Sequence, residues 1–206
     1  MAFVASALFW GSGVHANDIY MEQIGSGNTI TINQDGAGNL INGGGGVGST
    51  TAAYLNTQGA TITIDQIGSQ NTLGININNP NMASGMVVTS RADGSGNNQL
   101  INCGSSTSAT CNATTITQDI NGNNNNVTTT LSGGATSSVI NVLGNYNAVT
   151  HTASGAGEHT ASISITGGGS AGSPNLVNVT QTGALNKNVS VTSNGSNNNI
   201  GITQSD

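Results

Sequence analysis

Gln23–Asn28 reads QIGSGN and Gln66–Asn71 reads QIGSQN. Each run follows a short alternating segment, Ile19-Tyr20-Met21-Glu22 in one case and Ile62-Thr63-Ile64-Asp65 in the other. Each is followed by another, Thr29-Ile30-Thr31-Ile32-Asn33-Gln34 and Thr72-Leu73-Gly74-Ile75-Asn76-Ile77. Successive side chains of an extended chain point to opposite sides, so strict alternation marks a strand with one buried face. It sets Ile19, Met21, Ile30 and Ile32 on one face and Tyr20, Glu22, Thr29 and Thr31 on the other. Gly25 and Gly27 provide the backbone freedom of a tight turn. The unit reads as strand, turn, strand, with Gln closing the first strand and Asn opening the second.

The Gln-x4-Asn spacing returns at Gln34–Asn39, Gln118–Asn123 and Gln181–Asn186. Copies that keep only the Asn end at Asn97, Asn147 and Asn198, and Ile200 to Gln204 echoes Ile30 to Gln34. First strands start near Ile19, Leu40, Ile62, Val88, Thr114, Ser138, Ile163 and Val189. That spacing gives about eight units of roughly 21–26 residues, the period range of solenoids. The expected fold is all-β: a β-solenoid of about eight stacked strand-turn-strand rungs, cross-β in character. Ile19, Met21, Ile30, Ile32, Ile62, Ile64, Leu73, Ile75, Val127, Val149, Val177, Val179, Val191, Ile200 and Ile202 are the residues expected to point inward.

Stacked rungs place like on like, and aligned amides can donate and accept along the stack where carboxylates would repel. Gln23, Asn28, Gln34, Asn39, Gln66, Asn71, Gln118, Asn123, Asn147, Gln181, Asn186, Asn198 and Gln204 are therefore the candidate amide ladder at the turn edges.

Composition supports a thin, regular stack. Charged residues make up 5% of the 206, against about 25% in ordinary domains. The chain has 31 Gly and two Pro, and its apolar residues are largely β-branched and alternate. Arg91 and Lys187 are the only Lys or Arg and the net charge is −6. Nucleic acid, whose phosphates are held chiefly by Lys and Arg, is excluded as a partner.

Met1 to Ala16 (MAFVASALFWGSGVHA) has an apolar stretch followed by small residues at Val14 and Ala16. It reads as a cleaved signal peptide, leaving residues 17–206 as one repeat domain with an extracellular destination. In that setting an even cysteine count predicts a Cys103–Cys111 disulfide. The GGGGVG run at Gly43–Gly48 lacks a following Lys-Ser or Lys-Thr, so it reads as an insertion rather than a phosphate cradle.

The repeat resembles that of the curlins, the fibre subunits of bacterial biofilms. Their pattern is roughly Ser/Asn-x-Ile-x-Ile-x-Gln-x-Gly-x-x-Asn-x-Ala-x-x-x-Gln. Asp18 to Asn28, with the run on to Gln34, is similar to it; so are Ile62 to Asn71 and Val189 to Gln204, where Ser193 replaces the first Gln. The resemblance implies a secreted subunit that stacks end to end with copies of itself into a cell-surface amyloid fibre aiding adhesion. It implies a nucleator and an outer-membrane export channel as further partners, and no cofactor.

Catalytic and metal chemistry have no cluster to stand on. The eight acids are scattered singly, which argues against a carbohydrate-active β-helix enzyme. His151 and His159 have no Cys or carboxylate at ligand spacing. An ice-binding solenoid is the alternative reading, on the triplets Thr29-Ile30-Thr31, Thr61-Ile62-Thr63 and Thr115-Ile116-Thr117. The unit boundaries above put these triplets on different strands of the unit, which weighs against one flat binding face.

Overall fold

The computed structural model of the chain describes residues 17–19, 22–35, 39–41, 53–67, 70–80, 85–93, 96–104, 111–121, 124–134, 136–144, 147–155, 157–167, 175–184, 186–195 and 197–206. The signal-like segment 1–16 and the glycine run 43–48 lie outside these residues. The described strands are β1 (Asn17–Ile19), β2 (Glu22–Ser26), β3 (Thr29–Asp35), β4 (Asn39–Ile41), β5 (Ala53–Gln58), β6 (Thr61–Ile67), β7 (Leu73–Asn78), β8 (Met86–Asp93) and β9 (Gln99–Cys103). They continue with β10 (Thr114–Asn121), β11 (Val127–Ser132), β12 (Thr136–Leu143), β13 (Thr150–Ser154), β14 (His159–Thr166), β15 (Val177–Thr182), β16 (Lys187–Asn194) and β17 (Ile200–Gln204).

Two parallel sheets result. The first follows β1-β4-β7-β9-β11-β13-β15-β17, with β2 and β5 alongside; the second follows β3-β6-β8-β10-β12-β14-β16. From β5 onward the chain crosses between sheets at every arc, so each strand stacks on the one a full turn earlier. The molecule is a β-solenoid, as the alternation implies. The count of eight rungs is not confirmed: the second sheet holds seven strands.

Alternation sorts the side chains as expected. β10 alternates buried and outward residues along its length. Ile62, Ile64, Leu73, Ile75, Val127, Val149, Val177 and Val179 are buried, and Ile30, Ile32 and Val191 are partly buried against the same clusters. The side chains of Ile19 and Met21 lie outside the described residues. Ile200 and Ile202 pair in register with the buried Val177 and Val179, yet they are 45% and 47% exposed. Among the described residues no strand covers β17 on its far side, so the inward column ends there in the open.

The register corrects the reading of the repeat. Gln34 pairs with Gln66, whereas Gln23 pairs with Leu55. QIGSGN therefore joins the first sheet to the second, and QIGSQN joins the second back to the first. The two runs look alike but turn the chain at opposite edges. Of the expected unit starts, Ile19 and Leu40 lie in the first sheet, while Ile62, Val88, Thr114, Ser138, Ile163 and Val189 lie in the second. The phase slips between β4 and β5. Ile41 and Ala53 pair with Leu73 and Ile75 of one strand, so residues 42–52 are an insertion within a single rung.

The same register gathers the threonine triplets. Thr29 pairs with Thr61 and Thr31 with Thr63. Thr61 and Thr115 both pair with Val87, and Thr63 and Thr117 both pair with Thr89. All lie in the second sheet, contrary to the expectation that the triplets shift between strands.

Candidate functional site: the asparagine ladder and the uncovered rung

A file of amides runs along the edge where the second sheet returns to the first. Asn97 Nδ2 donates to Asn71 Oδ1 at 2.6 Å, Asn125 Nδ2 to Asn97 Oδ1 at 2.7 Å, and Asn147 Nδ2 to Asn125 Oδ1 at 2.6 Å. Asn175 donates to Asn147, and Asn198 Nδ2 donates to Asn175 Oδ1 at 2.9 Å. All but Asn198 are buried. Every amide donates in the same direction, so the dipoles align and polarise one another along the stack.

Local backbone geometry sets up the file. Each of these asparagines stands two residues before the inward residue that opens a first-sheet strand, except Asn147, which stands two before the buried Val149 adjoining β13. Where the preceding residue is described its φ is positive: Gln70 at 62°, Gly96 at 76°, Asn124 at 56° and Asn197 at 59°. A left-handed residue there turns the chain sharply, and Asn and Gly are the residues that accept that conformation most readily.

The expected ladder residues divide. Asn71, Asn147 and Asn198 belong to it. Asn97, which ends one of the repeat copies but is not among the expected ladder residues, joins it, as do Asn125 and Asn175; the signal for them is the Asn two places before the inward residue, independent of any Gln. Gln34 and Gln66 instead donate from Nε2 to the backbone oxygens of Leu40 and Thr72, closing the arc on their own chain. Asn28 Nδ2 donates to Thr57 Oγ1 at 3.1 Å at the opposite edge. Gln181 Nε2 donates to Gln204 Oε1 at 3.2 Å between β15 and β17. Asn186 is an exposed turn residue with φ 54°. Asn123 and the side chains of Gln23 and Asn39 lie outside the described residues.

Gln118 points into the interior, which is more polar than alternation alone suggested. Its Nε2 donates to Gln99 Oε1 at 3.1 Å and it accepts from Thr129 Oγ1. Ser138 Oγ lies 2.9 Å from His151 Nδ1, and all five side chains are buried. Burial lowers the His151 pKa to about 4, opposed by the nearby Gln181 amide and aided by His159. His159 is also lowered, first by burial and then by the nearby Lys187 ammonium.

Cys103 and Cys111 are both buried, with Cα atoms 5.1 Å apart and sulfurs at disulfide-bonding distance. They hold the arc between β9 and β10, as expected.

The outer face of the second sheet carries a short polar row. Asn121 Nδ2 donates to Asp93 at 2.8 Å, Asn141 Nδ2 to Asp119 at 2.7 Å, and Arg91 pairs with Asp93 at 2.8 Å. These groups satisfy one another around a shallow depression of about 330 Å³ between Arg91 and Thr166. Among the described residues no group of three or more His, Cys, Asp or Glu is placed to hold a metal ion.

At the β17 end the inward residues lie open. Lys187, in register with His159, pairs its ammonium with the Asp206 carboxylate, so the two charges cancel at that rim. Comparison with protein-family models, curated proteins and solved structures finds no match for the chain.

Proposed function

We propose that this chain is a secreted structural subunit that stacks end to end with copies of itself into a curli-like extracellular fibre of a surface matrix. The observation that carries the reading is the rung at the β17 end, which no other described strand covers. Ile200 and Ile202 continue the buried column of Val177 and Val179 but remain 45% and 47% exposed. An uncovered parallel strand also presents a row of backbone donors and acceptors, a template for another chain. Register traced along the first sheet supports a second copy as the occupant. It sets Ile200 in the column of Ile19, and Gln204 in the column of Gln23. A copy stacked in that register places Ile on Ile and Gln on Gln, repeating the packing found within the chain. A nucleator and an export channel are the partners this reading adds.

Sedimentation of the purified chain over time, with electron microscopy of the pellet, tests it. The wild type should form unbranched fibres. Ile202→Lys, which puts an inward-facing charge on the terminal strand, should keep its fold and stay in the supernatant. Thr180→Lys, on the outer face one rung earlier, should assemble as the wild type does. A soluble wild type at high concentration, or equal behaviour of the two variants, counts against the proposal.

A further inference from the structure

The outward face of the second sheet offers a surface that end-to-end stacking does not use. Three complete threonine pairs lie on it in register: Thr29 with Thr31, Thr61 with Thr63, and Thr115 with Thr117. Between the second and third, β8 presents Val87 and Thr89. Thr29, Thr31, Thr61, Thr63 and Thr115 are exposed. Parallel strands space the two columns regularly, at about 4.8 Å between strands and about 6.6 Å between alternate residues. The result is a two-dimensional grid of methyl and hydroxyl groups. Ile62, Ile64, Val88 and Ile116 hold it rigid from beneath.

We propose that this face binds ice. A ligand matched to the grid must itself repeat in two dimensions, and ice is a periodic hydrogen-bonding solid whose oxygen spacings are close to those of the grid. Hydroxyls fix individual waters, while the methyls between them, Val87's included, leave neighbouring waters to bond with one another. Charge supports the match. Across the seven strands both columns are uncharged, continuing through Ser137, Val139, Thr160, Ser162, Asn188 and Ser190. A neutral face suits an uncharged lattice, because ions orient water away from the crystalline arrangement. Charges begin only in the next column, at Asp65, Arg91 and Asp119.

Strand preference explains threonine at any outward position, but not its placement. Opposite the first three of these rungs, the first sheet presents Asn56, Gly74, Asn76, Asn78, Leu100 and Asn102. That sheet has two complete pairs of its own, Thr128 with Thr130 and Thr150 with Thr152, all half-buried. They make an internal control.

The test is partition of the whole chain into a slowly growing ice hemisphere, with thermal hysteresis measured on the same samples. The wild type should enter the ice and show hysteresis. Thr63→Tyr should be excluded from the ice and lose the hysteresis, with circular dichroism unchanged; Thr61→Tyr is the second variant should the first misfold. Thr152→Tyr should behave as the wild type. Exclusion of the wild type from ice, or equal effects on the two faces, would overturn the proposal. So would retention on crystalline cellulose or chitin in place of ice.

Discussion

Acidification should loosen this solenoid through one buried imidazole. His151 sits between the sheets with Nδ1 2.9 Å from Ser138 Oγ, and burial holds its pKa at about 4 against an ordinary 6.5. The unfolded chain therefore takes up a proton on this residue before the folded chain does. With the folded pKa depressed, the full contribution is present above pH 6.5 and is lost as pH falls through about 4. A shift of that size is about 3 kcal/mol, a sizeable part of an ordinary domain's stability of about 5–15 kcal/mol. His159, lowered in the same direction, adds to the trend. The comparison is with His151→Gln, whose amide does not titrate and can still reach Ser138. Urea unfolding followed by far-ultraviolet circular dichroism at a series of pH values from 7 to 4 gives the two stability profiles. The wild type should lose about 3 kcal/mol more than the variant over that range. Parallel profiles would show that His151 is not buried as a neutral group and would refute the reasoning.

Asn125→Ala should destabilise by about 1–3 kcal/mol, because it removes the Nδ2 donor to the buried Asn97 oxygen and the Oδ1 acceptor of Asn147 from the middle of the file; denaturant unfolding should show a much smaller loss for Asn198→Ala at the exposed end. Reducing the cysteine pair opens a loop with a sequence separation of 8 and should cost about 2–3 kcal/mol on chain-entropy grounds; thiol labelling of the native oxidised protein should find no free Cys103 or Cys111.

Much of the fold was legible because burial on one face leaves a period of two in the sequence. Ile30, Ile32, Ile62 and Ile64 declared their face in that way, as did Val177 and Val179. The equivalence of turns was not legible. Gln23 and Gln66 both precede Ile-Gly-Ser in the sequence, although β2 runs on through Ser26 while β6 stops at Ile67, and nothing local says which edge of the rung each serves. Only pairing across rungs decides it, and the insertion at residues 42–52 hides the slip of phase between β4 and β5. The ladder was half seen for a related reason. Gln66 points to Asn71, but its column continues through Ala92, Ile120 and Ile165, so Asn97 and Asn125 follow arcs of the same length without a Gln, and the arc before Asn175 is longer as well. What stays constant is a tight reversal followed by Asn two places before the inward residue. The polar interior was missed because Gln118, Gln99 and Thr129 are acceptable inside only with one another, a condition met between sheets rather than along the chain. The threonine grid was discounted on the same faulty unit boundaries and emerged once the register was known.

Self-stacking through the uncovered rung is the central claim, and electron cryo-microscopy of the purified chain after incubation tests it most directly. The account predicts fibres in which β17 of one copy lies parallel to β1 and β2 of the next, at about the 4.8 Å strand spacing, with Ile200 over Ile19 and Gln204 over Gln23. Single, unassembled solenoids after prolonged incubation, or fibres joined through their outer faces with Ile200 and Ile202 still open to solvent, would contradict it.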